Sequence, residues 1–289
     1  MTGHSSVVDG DMAYFNRLHS KDVYSYDSEK QMWSSLPQCP YAYCSLAVVN
    51  GLLTAIGGDI TSQLFSLTDE RKWVEHFPPM PTKRYSVAAV RSGKSLVVAG
   101  GGNRNDRALN TVEVMDTKTL QWSIARSLPF ALRFASATIC QDRIYLLGYN
   151  LSKEPRSVLA CSMAYLLQSC RSQSLGARLM RTLTLQAVWH RVAHLPVQYS
   201  SCATLCAQLL AVGGIDDVGG RDDIFIRDHT TAIHQYNPAT NTWEVISHMP
   251  MAQSCTLVTV LPGNKLMVVG GGTDGSIETD EVEIATLQE

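Results

Sequence analysis

The sequence predicts an all-β chain assembled from six copies of one four-stranded unit, and three observations carry that expectation. An apolar run closed by paired glycines returns at 52–58 (LLTAIGG), 95–101 (SLVVAGG), 209–214 (LLAVGG) and 266–271 (LMVVGG), with weaker copies at 12–16 (MAYFN) and 144–150 (IYLLGYN). Trp33, Trp73, Trp122, Trp189 and Trp243 follow these runs in step. Turn-forming stretches, among them 27–30 (DSEK), 116–119 (DTKT) and 237–241 (NPATN), lead into the tryptophan segments. A repeat of this length describes an array whose units bury their faces only against their neighbours.

Each unit opens with a short run of small and β-branched residues, such as 45–49 (SLAVV), 86–90 (SVAAV) and 136–139 (SATI). These suit an innermost strand, where units crowd an axis and bulky side chains do not fit. The glycine-ended run is the second strand, and its glycines permit positive φ and close approach of another backbone. An alternating strand follows a polar loop, as at 23–27 (VYSYD), 111–116 (TVEVMD) and 232–237 (AIHQYN). The tryptophan strand is fourth, and each indole offers ~150–250 Å² to bury as a wedge between units.

Composition narrows the function. The chain of 289 residues is 45% hydrophobic and 17% charged, with ample material for a large core. Lys and Arg number 24 against 26 Asp and Glu, a net charge of -2 that gives no electrostatic reason to expect DNA, RNA or an anionic membrane as partner. No apolar run approaches the ~20 residues of a membrane span, and the start lacks the features of a signal peptide. The eight cysteines are scattered through a chain whose core needs no stapling, and read as reduced thiols of a cytoplasmic protein.

Four strands per unit with a recurrent Gly-Gly and a recurrent Trp resembles the Kelch repeat, and the resemblance covers residues 4–288. It implies a six-bladed β-propeller of four-stranded antiparallel blades around a central channel, forming a single domain over 1–289. The blades fall at about 4–37, 44–79, 85–128, 134–195, 201–249 and 255–288.

Departures from the repeat show where to look. Blades one and four lack one or both glycines, which reads as drift in a tolerant array. From Trp122 to Trp189 the chain runs 67 residues, against 40 from Trp33 to Trp73. The excess falls at 163–181, where Arg171, Arg178 and Arg181 among leucines fit either a short amphipathic helix for a partner or a mobile loop with one helical turn. A second insertion, 215–229, is acidic and glycine-rich, as a solvated loop would be. No tryptophan strand follows the third strand of blade six at 281–287. Either blade six ends one strand short or residues upstream of Met1 close it, and the chain reads as an excerpt from something longer.

A catalytic constellation does not stand out. His190 and His194 lie four apart on a strand, without helical zinc geometry, and Cys202 and Cys206 belong to an inner strand as small residues. Cys39, Tyr41, Tyr43, Cys44 and His19 approach the ligand set of a copper-radical oxidase but lack a second histidine for the same face. No cofactor is expected. The alternative to a binding module is a propeller enzyme of isomerase or metal-oxidase type.

The resemblance instead implies a rim that holds a peptide. Counting back six residues from the last apolar residue of each inner strand places Tyr43, Arg84, Arg133, Tyr199 and Ser254 at equivalent ring positions. Loops after the glycines add Arg17, His19, Asn103, Arg104, Asn105, Arg107 and Asn150. Arginine forks match carboxylates and tyrosine supplies contact area at little entropic cost, so the expected ligand is a protein or an acidic peptide. The competing reading of Arg84 and Arg133 is that they brace adjacent blades. The function implied is a non-enzymatic interaction module, such as substrate recognition for ubiquitin ligation or cytoskeletal attachment.

Overall fold

The computed structural model describes residues 3–17, 19–59, 61–149, 158–174, 189–198, 200–216, 228–272 and 278–286. Six antiparallel blade sheets follow one another along the chain, each paired strand to next strand, and a small seventh sheet of Val197–Gln198, Ile215–Asp216 and Asp228–His229 joins the entry to blade five with the second insertion. Blade one comprises Gly3–Asp9, Met12–Arg17, Val23–Asp27 and Met32–Leu36; blade two Ser45–Val49, Leu52–Ile56, Leu64–Leu67 and Trp73–Phe77. Blade three comprises Ala88–Ser92, Ser95–Ala99, Val112–Asp116 and Gln121–Ile124; blade four Arg133–Cys140, Arg143–Tyr149, Val158–Ser162 and His190–Arg191. Blade five comprises Ser201–Leu205, Gln208–Val212, Ala232–Asn237 and Thr242–His248. Blade six has three strands among the described residues, Leu257–Leu261, Lys265–Gly272 and Glu278–Thr286. The first strands touch in cyclic order, and blade six meets blade one, so the array is a closed six-bladed propeller.

Apolar burial is divided among six wedges, each between two adjacent blades. Ala47, Val49, Ile56 and Leu64 of blade two pack on Val87, Leu96, Val98 and Met115 of blade three, for example, and Ala13 and Phe15 of blade one on Leu257 and Met267 of blade six. This is the packing a repeat array requires, because one blade alone leaves both faces wet.

Hydroxyls on the first strands stitch blade to blade around the axis. Ser45 Oγ donates to the Val87 carbonyl at 2.5 Å, Ser201 Oγ to the Thr256 carbonyl at 2.5 Å, and Ser6 Oγ to the Val258 carbonyl at 2.9 Å. The last of these lies across the junction of blades one and six.

The glycine pairs perform a related task nearer the mouth. A Cβ on Gly57 would stand 2.6 Å from the Arg84 carbonyl oxygen, and one on Gly58 2.4 Å from that of Ala42. Both residues have positive φ, so only glycine lets this strand approach the Arg84 backbone of the next blade and the Ala42 backbone of its own. In blade one Asn16 replaces the pair. Its buried side chain donates from Nδ2 to the Cys44 carbonyl at 2.6 Å, so a side-chain amide makes an inter-blade bond of the kind that Gly101 and Gly214 make with their backbone N–H groups.

Four of the tryptophans clamp the outer part of a wedge. Trp73 Nε1 donates to the Pro37 carbonyl at 2.9 Å, Trp122 to Pro78 at 2.9 Å, Trp189 to Arg126 at 3.1 Å and Trp243 to Ala193 at 3.0 Å. Every acceptor lies one or two residues past the fourth strand of the preceding blade.

The insertion after the third strand of blade four contains an α-helix, Met163–Ser174, which is longer than the single turn weighed from sequence. Its Leu166 is fully buried in the wedge between blades three and four, while Tyr165 faces out. Arg178 and Arg181 lie outside the described residues, as do the aspartates 217, 222 and 223 of the second insertion. All eight cysteines are free thiols.

Candidate functional site

The mouth is built where the polypeptide enters each first strand, and its register is set by a left-handed residue. Tyr43, Ser86, Phe134 and Cys255 have φ of 57, 49, 51 and 53°. Each follows a residue that lies against the glycine-ended strand of its own blade: Tyr85 bridges Gly102, Arg133 pairs with Tyr149, and Ser254 bridges Gly272. The equivalent ring position is therefore Ala42, Tyr85, Arg133 and Ser254, with Tyr43 one step beyond it and Arg84 one step short.

That slip of one residue separates the two arginines. Arg84 is fully buried, turned into the blade. Its Nη2 lies 2.6 Å from Glu113 Oε1, and its Nη1 donates to the carbonyls of Gly100 at 3.0 Å and Thr111 at 3.2 Å. Burial pulls its guanidinium below the usual arginine range, and Glu113 acts against that pull. Arg84 is thus a brace within blade three, and the expectation that it faces the mouth is corrected.

Arg133 remains at the surface of the ring with its side chain 15% exposed. Its Nη1 lies 2.5 Å from Asp106 Oδ1 and 3.3 Å from the Tyr85 hydroxyl, and its guanidinium sits 5.3 Å from the Phe134 ring centroid. Tyr85 donates its hydroxyl to the same Asp106 oxygen. The Tyr85 hydrogen bond and the Arg133 charge hold the Asp106 carboxyl below the usual carboxylate range. Burial, then Asp106, raise the Tyr85 phenol.

Aromatic contacts extend this cluster across four blades. Tyr85 meets Tyr43 edge to face at 5.9 Å, and Tyr43 meets His19 at 5.1 Å with a 2.7 Å hydrogen bond between its hydroxyl and His19 Nδ1. Phe134 is 39% exposed at the far end. His19 and Phe134 also line the central cavity of about 460 Å³, whose wall is otherwise mostly first-strand serine, threonine and small apolar residues.

The other expected residues divide. Asn103 caps its own loop, accepting from the Asn105 and Arg107 amides at 3.0 and 3.1 Å. Arg104 is exposed beside Asp59 and Lys83 at a groove between blades two and three. Arg17 ends the second strand of blade one, and Ser254 is buried at its ring position. Tyr199 and Asn150 lie outside the described residues. Sequence reasoning missed Tyr85, Phe134 and Asp106. Aligning the blades on the glycine pairs instead of on apolar strand ends finds Tyr85, but an aspartate in an irregular loop has no period to reveal it.

Fold and mouth together define a closed propeller whose loops gather aromatic and charged side chains at one end of the axis. Residues 83–129 match the Kelch motif, and this match together with the Kelch-like relatives supports a Kelch-repeat family. It is similar to Kelch-like protein 35 of Mus musculus, 25% identical over 252 residues, which are 83% of this chain and 37% of that protein. Kelch-like protein 36 of Rattus norvegicus is 25% identical over 268 residues, 87% of this chain and 40% of that one. Beta-scruin of Limulus polyphemus is 29% identical over 143 residues, 45% of this chain and 16% of its own. The chain spans about two fifths of the length of the Kelch-like relatives. The solved structure of YjhT superposes with a TM-score of 0.77 at 15% identity, covering 100% of this chain and 95% of that one, a likeness of fold alone.

Proposed function

We propose that this chain is a non-enzymatic, cytoplasmic recognition module that binds an acidic segment of a partner protein at the mouth. The observation that carries this reading is the Asp106–Arg133 pair. Asp106 is 74% exposed on a loop while the guanidinium it meets is mostly buried and fixed by Phe134 and Tyr85. An exposed carboxylate on an anchored fork is the arrangement that a ligand carboxylate would replace, and charge-assisted contacts of this kind orient as well as hold a peptide. Tyr43, Tyr85 and Phe134 supply rigid contact area on either side. The Kelch-like relatives support a protein partner, with ubiquitin-ligase substrate recognition or cytoskeletal attachment as the roles in view.

Titrating glutamate-rich peptides against three variants tests the reading. Arg133→Ala should weaken binding by ~2–4 kcal/mol, as loss of an anchor does. Arg133→Lys should also weaken it, because an ammonium lacks the fork. Asp106→Ala should tighten it, since the internal competitor is gone. Unchanged affinity in all three, with the fold intact, would place the partner elsewhere.

A further inference from the structure

The central channel, a cavity of about 460 Å³, has a wall without fixed charge. Among the described residues no Asp, Glu, Lys or Arg lines it, and its titratable groups are His19 at the mouth and two cysteines. Its polar groups are mostly serine and threonine hydroxyls, which differ in what they do with their one proton. Ser6 and Ser201 donate theirs to the Val258 and Thr256 carbonyls at 2.9 and 2.5 Å, so to a ligand they can only accept. Ser136 accepts from the Cys202 amide at 3.3 Å and the Cys202 thiol at 3.1 Å, which leaves its own proton to give. Thr256 Oγ1 is buried without a partner among the described residues.

We propose, on the reading of the mouth as a site for an acidic segment, that the channel is its second pocket and takes the side chain of a tyrosine standing beside the acidic residue held by Arg133.

Position joins the two pockets. Phe134 flanks the Arg133 guanidinium at 5.3 Å and also lines the channel. The residue next to a carboxylate bound on Arg133, its Cα about 3.8 Å further along the peptide, is thereby brought to the channel opening. Ser136 lies two residues beyond Phe134 on the same strand, at most about 7 Å along the backbone, within the reach of a phenol.

Chemistry selects the occupant. A charged side chain would leave water for a wall that offers no counter-charge, which is unfavourable, and a phosphotyrosine is excluded on the same ground. An aliphatic side chain would cover the hydroxyls and leave them unmet. A phenol avoids both costs: its ring lies against small apolar residues such as Ala137 and Val258, and its hydroxyl accepts from Ser136 while donating to Ser201. Those two serines stand on adjoining first strands, tied by the Cys202 amide, so one hydroxyl can serve both.

The probes are glutamate heptapeptides whose central residue is tyrosine, phenylalanine, O-methyltyrosine, phosphotyrosine or a further glutamate, titrated against the 289-residue chain. The tyrosine peptide should bind about ten-fold tighter than the all-glutamate one. It should also bind about five-fold tighter than the phenylalanine and O-methyltyrosine peptides, the size of one ordinary hydrogen bond. Phosphotyrosine should bring no gain. Ala137→Leu, which narrows the channel, should erase the tyrosine gain, and Ser136→Ala, which keeps the space and deletes a hydroxyl, should bring the tyrosine and phenylalanine peptides to one affinity. Equal binding of tyrosine and O-methyltyrosine peptides, or a tyrosine preference that survives both substitutions, overturns the proposal. A tyrosine gain that Arg133→Ala leaves whole, with all-glutamate binding also unchanged, keeps the channel and removes the mouth reading. All-glutamate binding that Arg133→Ala weakens, with no tyrosine gain in the native chain, does the reverse, and binding by none of the peptides ends both.

Discussion

Burying a guanidinium beside a carboxylate exchanges two hydration shells for one short ion pair, and Arg84 with Glu113 makes that exchange inside blade three. The pair has further support, since Thr82 donates its hydroxyl to Glu113 at 2.5 Å and two carbonyls accept from Arg84. Removing one partner leaves the other charge in an apolar wedge. Arg84→Ala should therefore destabilise the fold by about 3–5 kcal/mol, and the double variant Arg84→Met, Glu113→Leu by clearly less. Urea unfolding of the three proteins decides it. If Arg84→Ala costs no more than an exposed substitution, within about 0.5 kcal/mol, the side chain is not the brace described. The contrast with Arg133 shows what one step of backbone does. Successive side chains of an extended segment point to opposite faces, so the neighbours Arg84 and Tyr85 serve a core and a mouth.

At the scale of the strand, the repeated indole is a clamp with two parts, a ring in the wedge and an N–H on the neighbouring blade. Trp122→Phe keeps much of the first and deletes the second, so it should cost about 1 kcal/mol, the net worth of one hydrogen bond. Trp33→Phe has no bond to lose among the described residues and should lie near zero. Thermal or urea unfolding of both variants checks the pair, and equal losses would mean that the N–H bonds contribute nothing. The strands themselves were legible in the sequence because glycine pairs and tryptophans recur with the blade. The helix Met163–Ser174 was less so. Its residues pack one side into a wedge and leave Tyr165 outside, a pattern too short to distinguish from a loop with one turn before the neighbouring blades are known.

The whole molecule shows why the fold could be read and the mouth only partly. Blade count and strand order follow from periodicity, which survives local drift: Asn16 stands in for a glycine pair and the sheet still closes. The mouth depends on positions just outside the periodic strands. There the left-handed residues Tyr43, Ser86, Phe134 and Cys255 add a step that counting along apolar residues does not register. Tyr85 is missed and Arg84 placed on the wrong face by such a count, while Asp106 sits in an irregular loop that has no period to reveal it.

A ring of six joints also has a mechanical character. Each wedge is a separate fastening, and both joints of blade six, with blade five and with blade one, hold through their inner strands and apolar wedges, including the Ser201–Thr256 and Ser6–Val258 bonds, without an indole bond on the outer side among the described residues. Strain introduced anywhere on such a ring travels along it until it reaches the least fastened joint, as a split washer opens at its gap. Native-state hydrogen exchange should accordingly show blade six opening at the lowest free energy, and blades three and four, held by the Arg84 pair, Trp189 and the docked helix, at the highest. Uniform opening around the ring would mean that the joints are equivalent. Where those joints gape first, anything that fastens their outer side stiffens blades that it never touches.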